Sequence, residues 1–446
     1  MQLACYLLVL TLLPGNWAVT QFTTRQELYD KVREWTNGNA AQRQDIAVNQ
    51  GYGVISDWDV SQVTDMRAVC QDLTTFDFDI GSWNTSAVTD MRFMFQNAQA
   101  FNQKLDWDTS KVENMAYMFA GAKAFNNGAA APAIQPLTMD TSKVTDMVHM
   151  FENAEAFNQP LGCPGACSNW DTSSVTAMRR MFSGAAAFNQ PLEWDTSSVQ
   201  TMMYMFDGAK EFNQPLSWVT TNVQIMEGMF KDAEAFNGAI NSWDTSNVQN
   251  MIFMFQNALA FDQPLDSWVT SKVTQMARMF SGAAVFNQPL NPWDTSIVSN
   301  MQGMFENAAN FSQCLASWDT SAVTTDKIAM FDGSGCPADA AVLENGLLDC
   351  GCPTTTTAGR DDCGVLLDHA LLNKKAKLAF ISCHKYSLIQ GNEVTATPPW
   401  RRIAGGAPWL PFVCLGAALV AAAAAVKAWR SHRPRLPYEA LEEEAL

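Results

Sequence analysis

Three kinds of side chain recur in this 446-residue chain at spacings that could do chemistry. The first is methionine, present 23 times. Its thioether can hold copper(I), but here it returns at two positions of nearly every copy of a repeated segment, beside Phe and Val. That placement reads as core packing. The second is an aspartate at the head of each copy: Asp108, Asp140, Asp171, Asp195, Asp244, Asp294 and Asp319. In a stack they would form a carboxylate column that either caps first-turn amides or bridges neighbouring copies through calcium. Val219 and Val269 interrupt the column without loss of repeat quality, which favours capping. The third is cysteine, 11 in all, or nine once Cys5 and Cys414 in apolar end segments are set aside. Cys70 stands where other copies carry a core aromatic (Phe95, Phe119, Phe151), so it reads as a buried free thiol. The other eight can pair. Cys163 and Cys167 share the insertion C-P-G-A-C, Cys314 and Cys336 lie one repeat apart as a staple on the last copy, and Cys350, Cys352, Cys363 and Cys383 follow. Zinc competes for that last group, with His369 and His384 nearby, but no C-x-x-C pair supports it.

No catalytic constellation emerges from these residues. His149, His369, His384 and His432 are scattered, and Ser and Asp recur as capping residues rather than as a triad. The expectation is a non-enzyme without cofactor or resident metal.

The elements that position these residues are repeats. The pattern W-D-T-S-x-V-x-x-M-x-x-M-F-x-G/N-A-x-x-F-N-Q-P-L starts at Trp58, Trp83, Trp107, Met139, Trp170, Trp194, Trp218, Trp243, Trp268, Trp293 and Trp318. Self-similarity at such a period means stacked units that cannot bury their apolar faces alone. In the copy at Trp194, the spacing of Val199, Met202, Met205, Phe206 and Ala209 predicts a helix of about ten residues. Fourteen residues past each start stand Asp72, Asn97, Gly121, Asn153, Gly184, Gly208, Asp232, Asn257, Gly282 and Asn307. These types tolerate left-handed backbone, which predicts the helix C-cap there. Trp and Thr two residues apart predict a short strand beginning near Trp.

The ends and the charge bound the setting. Forty-five acidic against 28 basic residues give a net charge of -17, which disfavours nucleic acid. Residues 1–20 read as a secretory signal peptide, and 21–57 as a helical cap on the first repeat. The repeats occupy 58–335 and a Cys-containing stalk 336–407, with Thr354 to Thr357 open to O-glycosylation. The uncharged stretch 408–426 is long enough, at about 1.5 Å per residue, for a transmembrane helix. Basic residues are denser after it, so 427–446 forms a cytoplasmic tail. Asn84-Thr-Ser and Asn310-Phe-Ser are glycosylation sequons in an exported chain. Tyr438-Glu-Ala-Leu441 has the spacing read by sorting adaptors.

The repeat resembles the BspA-type leucine-rich repeats of bacterial and protist surface proteins, over about residues 50–335. The segment R-Q-E-L-Y-D-K-V-R-E-W followed by G-Y-G-V-I-S-D-W-D-V-S resembles that family's usual entry. The resemblance implies an α/β, leucine-rich-repeat-like solenoid of about eleven 24–25-residue repeats, here with one C-terminal transmembrane helix. It implies adhesion or recognition of an unknown protein or glycan ligand at the plasma membrane, and no catalytic residues. The alternative is an endomembrane cargo or sorting receptor.

Overall fold

The computed structural model describes residues 20–130, 133–161, 170–324, 328–336 and 350. The chain divides into two units, Met1–Leu378 and Ala379–Leu446, and every described residue lies in the first. The signal segment before residue 20, Cys163, Cys167, Cys352, Cys363, Cys383, the stretch 408–426, Tyr438 and Leu441 lie outside the described residues. Among those described, no helix is long and apolar enough to cross a membrane.

Helix α1 (Arg25–Asn37) starts at Thr24, whose side chain accepts the Glu27 amide, and buries Leu28, Val32, Trp35 and Thr36. Its Trp35 meets Trp58 edge-on at 5.7 Å, so the apolar stripe lies on the first repeat. Helix α2 (Ala40–Gln44) opens on a capping box between Asn39 and Gln42. Gln21 forms a parallel bridge with Asp59.

The helix expected in each copy is absent. Among the described residues α1 and α2 are the only α-helices, and the repeats are built from tight turns. In the Trp194 copy the amides of Met202, Tyr204, Phe206 and Gly208 donate to carbonyls of Ile225, Glu227, Met229 and Lys231 in the next copy, at 2.7–3.1 Å. Between them, the amides of Met205, Asp207 and Ala209 fold back three residues, at 3.1–3.2 Å. A helix would have used all of these amides within itself. Positive φ at Tyr204 (54°) and Gly208 (70°) breaks helical propagation and suits the third place of a type II turn. Successive turns put their inward residues three and four apart, as a helix does, which is why the period misleads. The positions fourteen past each start do adopt left-handed backbone, at φ 55–72°. They close turns rather than cap helices.

Among the described residues the strand expected near Trp is also absent. The parallel bridges run instead through residues seven past each start, from Asp65 and Asp90 to Gln275 and Asn300, one residue per copy. Trp and Thr do share the inward side, but side chains join them to the neighbouring copies. Trp243 Nε1 donates to the Leu216 carbonyl at 2.9 Å, and the buried Thr220 hydroxyl donates to the Asp244 carbonyl at 3.0 Å. Asn213 shows what the N-Q pair is for. Its amide donates to Asn189 Oδ1 at 2.9 Å, and Gln214 Nε2 donates to the same oxygen at 2.9 Å. This repeats from copy to copy, so buried backbone groups are satisfied without strands.

The core is stacked rings between those ladders. Phe206 and Phe212 lie 4.1 Å apart within one copy, Phe206 and Phe230 lie 5.6 Å apart between copies, and Trp218 stacks on Trp243 at 6.2 Å. The Met and Phe columns are fully or almost fully buried, which makes the thioethers packing groups. Cys70 is buried and free, and burial pushes its thiol pKa up. At the far end the expected Cys314–Cys336 staple is not formed. Cys336 bonds to Cys350, while Cys314 is itself disulfide-bonded. After the 3-10 turn Ile328–Phe331 the Cys336 sulfur lies 3.5 Å from the Phe311 carbonyl.

Candidate recognition face

The Asp residues after each Trp are local. Asp195 Oδ1 accepts the Ser197 amide at 2.9 Å, and the Asp108, Asp140, Asp171, Asp244, Asp294 and Asp319 carboxylates do the same two residues on, at 2.9–3.0 Å. These are Asx turns, not helix caps. Hydrogen bonds from the serine hydroxyl and amide hold the carboxyls of Asp108, Asp195 and Asp244 below the usual range. Across the stack, Thr196 and Thr245 donate to the Val219 and Val269 carbonyls, so the ladder needs a backbone oxygen there and tolerates valine. Among the described residues no three His, Cys, Asp or Glu side chains converge as metal ligands.

The two sequons differ. Asn84 is exposed, but its Oδ1 accepts both the amide and the hydroxyl of Ser86, the latter at 2.7 Å. Asn310 is exposed, and its side chain has no hydrogen-bond partner among the described residues; only its amide is engaged, donating to Ala284.

Sequence reasoning missed a second column. Ten residues past each start, the backbone is again left-handed, at φ 51–60°: Ala68, Phe93, Tyr117, His149, Arg180, Tyr204, Gly228, Phe253, Arg278 and Gly303. Glycine takes this conformation freely, whereas a bulky L-residue forgoes about 1–2 kcal/mol in it. Aromatic and cationic side chains nevertheless occupy most of the column. Phe93 stacks on Tyr117 at 5.0 Å, Tyr117 on His149 at 4.3 Å, and Arg180 lies over the Tyr204 ring at 4.7 Å. His149 Nδ1 meets Glu152 at 2.8 Å, and Arg179 Nε donates to its Nε2 at 3.4 Å. Tyr204 donates its hydroxyl to Glu227 at 2.9 Å. Burial and that hydrogen bond push its phenol up to about 12. The rings lean along the stack, so that a β-carbon at residue 228 would run into Tyr204. Glycine there makes room for the ring. The signal available in sequence was the pair Gly228 and Gly303 at one variable position, between the two methionines.

The family model for "Mycoplasma protein of unknown function, DUF285" matches residues 39–138, 128–242, 163–267 and 230–339. These overlapping matches cover the repeats and most of the chain. No curated protein and no solved structure matches it.

Proposed function

The chain belongs to the DUF285 repeat family, and from that premise we propose a non-enzymatic type I cell-surface protein whose repeats recognise a protein or glycan in adhesion. The finer kinship proposed is BspA-type. The class proposed for the chain is the α/β, leucine-rich-repeat-like solenoid with a C-terminal transmembrane helix, supported by the copy-to-copy ladders and modified by turns in place of repeat helices. One observation carries the function. Bulky aromatic and cationic side chains are kept at left-handed backbone along one column, where Gly228 and Gly303 mark the unstrained alternative. His149 is buried, but Phe93, Tyr117, Arg180, Tyr204 and Phe253 are half-buried and Arg278 is exposed, and strain retained where side chains reach solvent points to use. Repeated residues hold the stack together, and those that vary are free to meet a ligand. Chemistry is not proposed, because the carboxylates, hydroxyls and amides that recur are spent on turns and ladders.

The test is adhesion by intact cells displaying the full chain. Ectodomain labelling without permeabilisation is expected, and Phe93→Ala/Tyr117→Ala/Tyr204→Ala should abolish adhesion while surface level is unchanged. Labelling only after permeabilisation, or full adhesion by the triple variant, overturns the reading. The second reading, an endomembrane cargo receptor, rests on Tyr438 and Leu441. It requires Tyr438→Ala to move the protein to the surface.

A further inference from the structure

The column changes character in the copies starting at Trp218, Trp243, Trp268 and Trp293. Phe253 and Arg278 stand between Gly228 and Gly303, all four at positive φ. Elsewhere the column members cover one another; Phe253 has no ring or cation packed on it among the described residues. A depression of about 350 Å³ opens there, lined among others by Glu227, Ile252, Phe253, Arg278, Asn300 and Gln302. That is the low end of the range for small-ligand sites.

Its polar rim is unspent. Asn300 uses its Oδ1 on the Gln302 amide at 3.2 Å, and its Nδ2 has no partner among the described residues. The exposed Gln302 side chain has none either. Among the described residues the Arg278 side chain makes only a loose ion pair, 3.6 Å from Glu306. Glu227, by contrast, is engaged by Tyr204 and Asn250, each at 2.9 Å. Separate donors surrounding one half-buried ring suit a ligand with an apolar face and a rim of hydroxyls.

We propose that this depression binds one neutral hexose unit of a glycan, a reading that rests on the recognition function above. The sugar's C–H face lies on the Phe253 ring, and its hydroxyls take Asn300 Nδ2, the Gln302 side-chain amide and the Arg278 guanidinium. A peptide strand is disfavoured, because strand addition needs free backbone groups. Here the amides of Met226, Gly228, Met251, Phe253, Met276 and Arg278 all donate to the next copy. An acidic sugar is disfavoured by Glu227 in the lining, by Glu306 beside Arg278 and by the net charge of -17.

The experiment is saturation-transfer NMR on the purified full-length chain with the methyl glycosides of glucose, galactose and mannose, and with methyl glucuronide. At least one neutral glycoside should receive saturation at its ring C–H protons. Phe253→Ala and, separately, Gln302→Ala should weaken binding by about tenfold or more, the scale expected when one well-formed interaction with the sugar is removed. Glu193→Ala, exposed and outside both the column and the depression, should leave it unchanged. Ala68 shows that alanine is accepted at this backbone position, and Gln302→Ala carries the test should Phe253→Ala lower the unfolding temperature. No transfer to any neutral glycoside, a preference for the glucuronide, or equal affinity in the Gln302→Ala protein overturns the proposal. If hexoses do not bind but cell adhesion falls with Phe253→Ala, the ligand is of another class and recognition stands. If the triple column variant still adheres, recognition itself fails.

Discussion

At the scale of single residues, backbone conformation decides which substitutions matter. Gly208 sits at φ +70°, and a β-carbon there would meet only Gly184 backbone atoms at 3.7 Å, an ordinary separation. The penalty for a side chain is therefore conformational rather than steric. Gly208→Val should destabilise by about 1–2 kcal/mol, whereas Gly208→Asn should cost far less, because Asn97, Asn153, Asn257 and Asn307 occupy the equivalent place. Thermal unfolding of the two variants side by side checks this. The Asx carboxylates make a pH prediction. Asp108, Asp195 and Asp244 have lowered pKa values in the folded protein. Their contribution is thus fully present above the unfolded aspartate value and is lost as pH falls through the lower folded value. Stability should decline on acidification below about pH 4. Asp108→Asn/Asp195→Asn/Asp244→Asn should be less steep in that window, as read by urea midpoints across the acid range.

The repeat element and the cap meet through backbone arithmetic. From the copy at Trp194 to the copy at Trp293 the carbonyls seven, nine, eleven and thirteen past the start accept amides from the copy before, and the first copy has no copy before it. Helix α1 answers part of that need. Arg25 Nη1 donates to the Arg67 carbonyl and Arg33 Nη2 to the Gln71 carbonyl, each at 2.8 Å. These are the ninth and thirteenth residues past Trp58. An uncovered row of carbonyls over an apolar end is a template for association. Deleting residues 20–57 should therefore give concentration-dependent self-association in sedimentation, with the intact chain at equal concentration as reference. An unchanged sedimentation coefficient for the truncated protein would show that the cap serves only its own packing.

For the molecule as a whole, stability is nearly one-dimensional, since each copy touches its neighbours. Cys336→Ser, which removes the bond to Cys350, should speed hydrogen exchange in residues 305–335 and leave residues 58–120 as they were. Acceleration throughout would mean a single cooperative unit. Much of this architecture is written locally in the chain. Residue type and period alone determined that the Trp, Met and Phe columns turn inward, that the positions fourteen past each start take left-handed backbone, and that R-Q-E-L-Y-D-K-V-R-E-W forms an amphipathic helix, because apolar spacing and glycine-like tolerance are properties of a short segment. Tertiary structure decided whether the spaced Val, Met and Phe ride on a helix or on turns. The amides of Met202, Tyr204, Phe206 and Gly208 find their acceptors 23 residues away in the next copy, and no local pattern reveals a partner at that distance. The same holds for Cys336, which bonds to Cys350 rather than to the cysteine one repeat before it. It holds too for the rings and the guanidinium at positions ten past each start, which become one surface only when copy is laid on copy.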